Sequence, residues 1–442
     1  MRILLTGATG FIGSRLLAAL QLRGHEVWCA GRRPPPHAIG WLPIDFAHAL
    51  TKEDWLPLLD DIDCVVNTVG IFREHGTQTF ERLHEQAPRA LFDACVDAGV
   101  MRVVQLSALG VERRRTEYQR SKHTADAYLL ALPLDGIVVQ PSLVFGADGR
   151  SAARFLILAA MPLLPLPSGG GQVQPVHVDD VVEALCALVD APPVPGAGRT
   201  VPLVGPRPLS LRRYLMMLRG ALGLKPTLAL RVPAALVALA ASWGEVRGQA
   251  LLDRGAWTML QQGSVGPAVA ISWLLGQPPR EVGDFLLGEP LAALRLQARL
   301  GWLLPLLRFA LALVWIVTGL LSFGLFPRDD SYALLAVTGI TPALQPLMLY
   351  GGAALDLGLG VATLLPPASA RWRARLWLAQ IALIAVYTLV IAWRLPEFWL
   401  HPFGPLLKNL PILAILVLLY LHERDASAPL TTNAGDAAAR AL

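Results

Sequence analysis

The feature that most constrains this chain is a glycine-rich turn at residues 6–13, Thr-Gly-Ala-Thr-Gly-Phe-Ile-Gly, which directly follows the apolar run 3–5. Gly7 permits a tight turn, Gly10 lets the backbone approach a phosphate, and Gly13 lets a helix pack close to the strand. A helix that begins near residue 11 offers free N–H groups and a positive dipole end to an anion. A strand, a glycine turn and a helix in this order predict a dinucleotide site. The residues assigned to it are Gly7, Thr9, Gly10, Phe11, Ile12 and Gly13.

Apolar residues are unevenly distributed along the chain of 442 residues, of which 54% are hydrophobic and 16% charged. This composition is more apolar than that of an ordinary soluble protein, and the length predicts two or more domains. The excess lies in residues 303–421, whereas the earlier residues have the composition of a soluble α/β protein. We therefore expect a soluble domain over 1–290, with substrate-side segments mainly at 141–290, a membrane domain over 300–424 and a disordered tail over 425–442.

Charge and cysteine usage exclude two classes of partner. The formal net charge is +5, and no basic stripe with interleaved aromatic residues occurs, so we expect no nucleic acid partner. The cysteines lie far apart without the spacing of metal ligands, so we expect no metal site and the reduced thiols of a cytoplasmic domain. They are Cys29, Cys64, Cys95 and Cys186.

Strand and helix patterns alternate through the first half of the chain. Strands are predicted at Arg2–Thr6, Glu26–Ala30, Cys64–Thr68, Arg102–Ser107 and Gly136–Gln140, and helices at Phe11–Leu22, Thr79–Ala98 and Tyr118–Ala131. This alternation predicts an α/β Rossmann-type doubly wound parallel sheet, whose ligands bind at the carboxyl ends of the strands. A short apolar helix at Val232–Trp243 is expected as a lid or core element, or as a segment in the membrane surface.

A serine, a tyrosine and a lysine lie where such a sheet would bring them together. Ser107 ends a predicted strand, and Tyr118 and Lys122 follow four residues apart on one face of a predicted helix. The ammonium of Lys122 is expected to lower the pKa of the Tyr118 phenol and to hold the nicotinamide ribose. Tyr118 then exchanges a proton with a carbonyl oxygen to which Ser107 hydrogen-bonds.

Four apolar blocks follow Arg308, and their lengths match a hydrocarbon core of about 30 Å. They are Phe309–Phe326, Leu347–Leu365, Leu376–Trp393 and Leu406–Leu421, and they predict a four-helix transmembrane bundle. Arginines 371, 373 and 375 lie between the second and third blocks, and further arginines precede the first. The positive-inside rule therefore places the N-terminal domain and the C-terminus in the cytoplasm, at a bacterial-type inner (plasma) membrane.

Over most of residues 1–290 the chain resembles the short-chain dehydrogenase/reductase superfamily, in its extended and atypical (NAD-dependent epimerase/dehydratase-like) branches. The resemblance rests on TGATGFIG at 6–13, DF at 45–46, VVNTVG at 65–70, SALG at 107–110, YQRSK at 118–122, QPSLVFG at 140–146 and PVHVDDV at 175–181. It implies that Asp45 meets the adenine and that Asn67 and Gly70 line the cofactor cleft. It also implies that Pro141 and Ser142 flank the nicotinamide, and that residues 177–180 are an architectural element.

Two departures refine what the resemblance implies. Ser107 and Tyr118 are only eleven residues apart, as in the atypical branch near the complex I accessory subunit, whose members often bind dinucleotide without established turnover. The second strand is followed by Arg32 and Arg33, with no acidic residue to accept the ribose hydroxyls. Because arginines can hold a 2′-phosphate, we expect NADP(H) to be preferred, with NAD(H) as the alternative. Two solvated arginines in a loop are the structural alternative.

The C-terminal part resembles the DoxX-like membrane family, through GGAALD at 351–356 and PFGPLLKN at 402–409. An aspartate within a membrane span is costly, so Asp356 is expected to face the bundle and to pair with Lys408 or Arg308, directly or through water. The functional hypothesis is a polar pocket for a quinone-like head group or a proton path. The alternative is an interhelical structural pair.

These observations predict a membrane-anchored NAD(P)-dependent oxidoreductase that acts on a lipophilic carbonyl or alcohol, or on a quinone-like substrate. A non-catalytic dinucleotide-binding sensor or assembly factor is the main alternative, and an epimerase or dehydratase fits the short loop between Ser107 and Tyr118 less well. The expected partners are a lipophilic small molecule and the lipid bilayer, and an oligomer remains open.

Overall fold

The computed structural model of the protein describes residues 1–233 except 195 and 197, residues 235–236, residues 254–400 except 368, and residues 402 and 404–427. It contains two compact units, Met1–Arg299 and Leu300–Leu442. Most of the helix predicted at Val232–Trp243 lies outside the described residues, and Val232 itself ends a strand. Most of the tail predicted to be disordered also lies outside them, and residues 425–427 continue the last helix.

The first unit is built on a sheet of seven parallel strands. They are β1 (Arg2–Thr6), β2 (Glu26–Gly31), β3 (Gly40–Pro43), β4 (Cys64–Asn67), β5 (Arg102–Leu106), β6 (Asp135–Pro141) and β11 (Arg199–Leu203). Across the sheet they lie in the order β11-β6-β5-β4-β1-β2-β3. The predicted doubly wound parallel sheet is confirmed. Short paired strands outside it are β7 (Val144–Phe145), β8 (Leu164–Pro167), β9 (Gln172–Val173), β10 (Val176–His177), β12 (Leu209–Ser210) and β13 (Ala229–Val232).

Helices cover both faces of this sheet. The helices of the first unit are α1 (Phe11–Leu22), α2 (Lys52–Trp55), α3 (Ala87–Asp97), α4 (Glu117–Leu130), α5 (Arg150–Ala160), α6 (Val178–Asp190), α7 (Leu211–Ala221), α8 (Arg254–Gln262) and α9 (Val269–Leu275). Helices α1, α6 and α9 lie on one face of the sheet and α2, α3 and α4 on the other, whereas α5, α7 and α8 pack in a separate apolar cluster with the short strands. Because side chains alternate along a strand, Ile3 and Leu5 of β1 pack with α1 and α6, while Leu4 packs with α3 and α4 on the opposite face. The sheet is therefore buried on both sides, as a parallel sheet requires.

The helix predicted at Thr79–Ala98 consists of two segments. Residues Glu81–Gln86 form a π-helical stretch that continues into α3. Pro88 lies at the start of α3 and has no N–H to donate, so it fits where the hydrogen-bonding pattern changes. The wider turn belongs to the segment that carries His84, a side chain of the candidate site described below.

A buried ion pair joins the sheet to the end of α6. Arg102 at the start of β5 donates from Nε to Asp135 Oδ2 at 2.7 Å, and Asp135 also accepts from Arg199 at 2.7 Å. The same guanidinium donates to the carbonyl oxygens of Leu188 and Val189, both at 2.9 Å, near the C-terminus of α6. Asp135 is fully buried and Arg102 nearly so, which makes the pair costly to break.

We expect Arg102→Met to lower the free energy of unfolding of the first unit by about 3–5 kcal/mol, because it leaves the Asp135 charge and the α6 carbonyl groups without their main donor. Urea unfolding of the full chain in detergent measures this loss. The matched control is Arg2→Met, which removes an exposed pair with Glu26 and should cost less than about 1 kcal/mol. Equal losses in the two variants would contradict a structural role for the buried pair.

The second unit is helical. The helices of this region are α10 (Leu291–Leu320), which is followed by a π-helical turn at Leu321–Leu325, α11 (Arg328–Val337), α12 (Gln345–Leu364), α13 (Ala370–Arg394) and α14 (Asn409–Ser427). Among the described residues, three segments are long and apolar enough to cross a membrane, namely Leu291–Leu325, Gln345–Leu364 and Ala370–Arg394. They match the first three predicted blocks to within one residue at the C-terminal ends. The fourth block falls largely within α14, which carries Glu423 and Arg424 towards its end.

The polar interior of the second unit differs from the expectation for Asp356. Arg308 donates to Glu423, and Arg373 donates to the other oxygen of that carboxylate at 2.8 Å. Asp356 is buried, and no ion pair or hydrogen bond reaches it from the part of the chain that the structure describes. The expected direct pairing of Asp356 with Arg308 or Lys408 is therefore wrong. Arg308 forms its ion pair with Glu423 instead.

Candidate active site

The loops at the carboxyl edge of the sheet bring the candidate residues together. Thr6 is paired with Asn67 across β1 and β4, and Asn67 is paired with Gln105 of β5. The glycine turn after β1, the turn after β4 and Ser107 after β5 therefore emerge side by side. This is the edge at which open α/β sheets bind their ligands.

The glycine turn has the shape that a pyrophosphate requires. Gly7 has a positive φ of +76°, and its carbonyl oxygen accepts from the Gly10 N–H at 2.8 Å. A methyl group at Gly13 would lie 2.2 Å from that oxygen, so α1 approaches the turn as closely as glycine allows. No side chain caps α1, which leaves the N–H groups of its first turn available to an anion. The residues present therefore fit a dinucleotide.

Some of the other predicted residues of this turn are exposed, and others pack against neighbouring residues. Thr9 and Gly10 are exposed, and Ile12 is half-buried. The ring of Phe11 lies so close to Gly146 and Gly149 that methyl groups there would come within 2.7 and 3.1 Å of its Cζ. Phe11 therefore anchors the start of α1 through its side chain and offers only its backbone N–H to a ligand.

The residues expected near the adenosine lie after β2 and β3. Arg32 and Arg33 are exposed, and the guanidinium of Arg32 donates to the side-chain oxygen of Gln78 at 2.7 and 2.9 Å, in the amide orientation that satisfies both groups. Asp45 Oδ1 accepts from the Ala47 N–H at 3.1 Å, and its Oδ2 lies 3.2 Å from His48 Nδ1. Their contacts with a cofactor remain predictions.

Asn67 and Gly70 have different surroundings. The Asn67 amide is fully buried, accepts from Thr6 at 2.6 Å and donates to Gln105 at 2.7 Å, so it holds strands together below the cleft. At Gly70 a methyl group would lie 3.2 Å from Lys122 Nζ. The missing side chain of Gly70 thus leaves the space in which the ammonium lies.

The end of β6 is fixed by backbone hydrogen bonds. The Pro141 carbonyl accepts from the Leu109 N–H at 2.9 Å, which joins this strand to the loop after Ser107. The Ser142 N–H donates to Leu203 at 2.9 Å, and its hydroxyl donates to the Gln174 carbonyl. These two residues keep β6 beside Ser107, where the nicotinamide is predicted to lie.

Lys122 is buried at the centre of the site. Its ammonium donates to the carbonyl oxygens of Leu106 at 3.0 Å and Val69 at 3.2 Å. An ammonium has three N–H donors, so one is left for a ligand. Burial lowers the pKa of Lys122 to about 8, and the charge of Asp126 opposes that shift.

Tyr118 differs from the expectation for its ionisation. Burial and the charge of Asp126 raise the pKa of its phenol. The expected lowering by Lys122 is wrong, because the ammonium is directed at the two main-chain carbonyls. Tyr118 is therefore a phenol that keeps its proton at neutral pH, which suits donation to a carbonyl oxygen.

Aromatic residues that the sequence analysis did not single out surround Tyr118. Phe72 stacks on its ring at a centroid distance of 5.3 Å, although Phe72 is 75% exposed. Phe80 and His84 contact it edge to face, at 6.1 and 5.5 Å. Together they limit the positions open to the phenol.

His84 has a fixed and neutral ring. Its Nε2 accepts from the Ile71 N–H at 2.9 Å, so Nδ1 carries the proton and donates to the Ser121 hydroxyl at 3.1 Å. Burial and the charge of Lys122 lower the pKa of His84 to about 2. No spacing in the sequence relates it to Tyr118, since the two lie on different helices.

Ser107 is also buried, and its hydroxyl donates to the Asp126 carboxylate. Asp126 is 3% exposed, and burial raises its pKa to about 6. The structure thus brings Ser107, Tyr118 and Lys122 to one place and adds a carboxylate that the sequence analysis missed. The signal was present, because Asp126 lies four residues after Lys122 on the same helical face.

A basic cleft of about 540 Å³ lies beside the N-terminus of α4. Its lining residues are Arg113, Arg115, Thr258, Gln261 and Gln262. Arg113 donates to the carbonyl oxygens of Gln262 at 2.7 Å and Gly263 at 2.9 Å. Gln119 of α4 donates to the Gln262 side chain at 3.0 Å, which joins the start of α4 to the lining of the cleft.

Comparison with known families assigns both parts of the chain. Residues 3–201 match the NAD dependent epimerase/dehydratase family, and residues 312–417 match the DoxX-like family. The chain therefore contains a nicotinamide dinucleotide-binding domain of the first family and a DoxX-like domain, which with the apolar helices indicates membrane association. The resemblance inferred from the motifs is confirmed.

Two curated relatives are similar to the first part. A ceramide reductase from Caulobacter vibrioides is 27% identical over 196 residues, which cover 43% of this chain and 61% of that protein. The mitochondrial NADH dehydrogenase (ubiquinone) 1 alpha subcomplex subunit 9 of Mus musculus is 28% identical over 222 residues, which cover 48% of this chain and 57% of that protein. The chain thus spans about three fifths of the length of these relatives.

A solved structure supports the fold. The UDP-N-acetylglucosamine 4-epimerase from Bacillus cereus superposes with a TM-score of 0.50 at 15% identity, covering 68% of this chain and 99% of that one. At this level of identity the similarity concerns the architecture alone.

Proposed function

We propose that this chain, with its dinucleotide-binding domain and its DoxX-like domain, is a membrane-anchored NAD(P)-dependent oxidoreductase that acts on a lipophilic carbonyl or alcohol, or on a quinone-like substrate. The observation that carries the proposal is the position of Tyr118 one helical turn before Lys122, whose ammonium donates to Leu106 next to Ser107, at the edge that also holds the glycine turn. A protein that only binds and senses a dinucleotide would need the glycine turn but would not need Tyr118.

The chemistry divides between cofactor and side chains. The bound dinucleotide supplies or accepts a hydride. Tyr118 donates a proton to the carbonyl oxygen during reduction, or takes one from the alcohol during oxidation. Lys122 uses its remaining N–H to hold a ribose hydroxyl. Ser107 hydrogen-bonds to the reacting oxygen and orients it.

A lipophilic substrate is supported by two observations. The chain carries three helices long and apolar enough to cross a membrane, which would keep the catalytic domain beside a lipid phase. One relative is a ceramide reductase, so a related domain acts on a lipid. The proposed location is the inner membrane, with both termini in the cytoplasm, so α14 is proposed as the fourth span.

NADP(H) is the proposed cofactor, with NAD(H) as the alternative. We expect Arg32→Ser with Arg33→Ser to weaken NADPH binding by about a hundredfold or more, because two charge-assisted hydrogen bonds to a phosphate are lost, each contributing about 1.5–3 kcal/mol. NADH affinity should stay within about twofold. Fluorescence titration of the full chain with both cofactors measures the two affinities. Equal losses for NADPH and NADH would refute a role in phosphate selection.

The membrane part of the proposal predicts a difference between substrates. The unit Met1–Arg299 and the full chain in liposomes should oxidise NADPH equally with a short-chain ketone. With decyl-ubiquinone or a long-chain ketone, the full chain should be faster by about tenfold or more, because anchoring raises the effective substrate concentration. Equal rates of the two forms with every substrate would remove the basis for a lipid-phase substrate.

The second candidate function is a dinucleotide-binding sensor or assembly factor. It is favoured by the 28% identity to a subunit of NADH dehydrogenase (ubiquinone). Tyr118→Phe separates the two candidates. A cellular role that survives this substitution, with cofactor affinity unchanged, supports the sensor.

A further inference from the structure

Asp126 lies on the catalytic face of α4. It follows Lys122 by one turn and Tyr118 by two, so the three side chains point in the same direction from the helix. Asp126 is 3% exposed, and the Ser107 hydroxyl donates to its Oδ2. A carboxylate at this depth is costly unless both oxygens are satisfied.

The two oxygens of the Asp126 carboxylate differ in their hydrogen bonds. Oδ1 of Asp126 has no hydrogen-bond partner among the residues that the structure describes. Asp126 also lines a cleft of about 260 Å³ between α4 and the strands β6 and β11. The other lining residues are Glu112, His123, Ala127, Leu130, Gln140 and Thr200. The cleft can hold several water molecules beside the Asp126 side chain.

The charged and titratable groups around Asp126 come from several elements. Lys122 on the same helix favours the carboxylate, and Glu112 from the turn before α4 disfavours it. His123 shares the cleft, and the Gln140 amide of β6 favours the carboxylate as a hydrogen-bond donor. Tyr118 stays neutral because its pKa is raised. Burial outweighs Lys122, so the proton of Asp126 is bound more tightly than in an exposed aspartate.

The state of Asp126 decides what Ser107 can do. A serine hydroxyl has one proton and two acceptor positions. When Asp126 is ionised, that proton is given to the carboxylate, and Ser107 can only accept from an alcohol substrate. When Asp126 is protonated, it can donate to Ser107 Oγ, and the serine proton is free for a carbonyl oxygen.

We propose that Asp126 is a positioning residue that sets the direction of the Ser107 hydrogen bond, and that it exchanges its proton with water in the cleft behind α4. The role in catalysis rests on the proposed function, whereas the coupling between Asp126 and Ser107 does not. Protonated Asp126 favours carbonyl reduction, and ionised Asp126 favours alcohol oxidation.

The proposed reaction forms no covalent intermediate with Asp126 or Ser107. In reduction a hydride from the reduced nicotinamide reaches the carbonyl carbon, the Tyr118 proton reaches the oxygen, and the tyrosinate regains a proton from water. During the reaction the protons of Ser107 and Asp126 only change hydrogen-bond partners. When the pH rises, Asp126 loses its proton to water in the cleft.

The first test is an infrared titration of the full chain in detergent. With Asp356→Asn present in every sample, so that this second buried carboxyl does not contribute, it should show a protonated carboxyl band that disappears with a midpoint near pH 6 and that is missing in Asp126→Asn. Ser107→Ala should move this midpoint upward by about one pH unit, because the lost hydrogen bond favours the carboxylate. Glu117→Gln, an exposed change on the same helix, should leave the band unaltered. A band that survives Asp126→Asn, or a midpoint that ignores Ser107→Ala, would overturn the coupling.

The second test uses NADPH oxidation with decyl-ubiquinone and with decanal. The rate should fall by up to about tenfold per pH unit above pH 6 in the wild type. Below about pH 8, where Lys122 keeps its charge, the rate should become independent of pH in Asp126→Asn, with NADPH affinity unchanged. A slope that persists in this variant would overturn the catalytic role. If wild-type protein that binds NADPH oxidises it with neither probe, the proposed function fails for these substrates, and the infrared titration still decides the coupling.

Discussion

Replacing Tyr118 by phenylalanine is expected to lower the rate of NADPH oxidation by about 10²–10⁴-fold, with the affinity for NADPH unchanged. The expected loss is that of a general acid that meets the reacting oxygen in the transition state. Phenylalanine keeps the ring that stacks on Phe72 and contacts His84, so the site should keep its shape. Initial rates and NADPH titrations on the same preparation separate the two quantities.

The matched control is Tyr128→Phe, because it removes a phenol from the same helix. The Tyr128 hydroxyl donates to Asp93 at 2.6 Å, away from Lys122 and Ser107. This variant should retain the wild-type rate within about twofold. If Tyr118→Phe behaves in the same way, Tyr118 is not the proton donor, and the enzymatic proposal loses the observation that carries it.

The substitution Gly13→Ala is expected to weaken dinucleotide binding by about a hundredfold or more. The new methyl group would lie 2.2 Å from the carbonyl oxygen of Gly7 and 2.8 Å from its carbonyl carbon, so α1 must move away from the turn. A displacement of about 1 Å at a binding element can cost this much. Fluorescence titration with NADPH and NADH measures the loss, which should be equal for both because the pyrophosphate is common to them.

Gly220→Ala is the control for this change. Gly220 lies in α7 with no atom near the position of a new methyl group, so alanine should be neutral or slightly stabilising there. Thermal unfolding shows whether Gly13→Ala still folds. A folded Gly13→Ala variant with wild-type affinity would place the dinucleotide somewhere other than the glycine turn.

The sheet could be predicted because its signals are local. The glycine turn, the apolar run before it and the helix after it occupy consecutive residues, and the structure contains them as β1 and α1 at the predicted bounds. The edge strands β3 and β11 were not predicted. Gly40–Pro43 has only four residues, with Trp41 exposed, and β11 follows a proline-rich connection that hides its start.

The chemistry of the site could be predicted only in part. The spacing of Tyr118 and Lys122 places them on one helical face, but it does not show that Lys122 donates to Leu106 and Val69. The direction of the Tyr118 pKa depends on burial, which comes from residues distant in sequence such as Phe72. Tertiary packing also decides which ion pairs form in the second unit, since Arg308, expected to pair with Asp356, pairs with Glu423.

The central claim is that this chain consumes the dinucleotide it binds. The most direct measurement supplies the full chain in liposomes of membrane lipid extract with NADPH deuterated at the transferable position. Mass spectrometry then follows deuterium in the lipids, while absorbance follows the reduced nicotinamide. The account predicts oxidised cofactor, with deuterium on a lipid product or a reduced quinone, and neither with Tyr118→Phe. Wild-type protein that binds NADPH tightly but leaves both cofactor and lipids unchanged would contradict it.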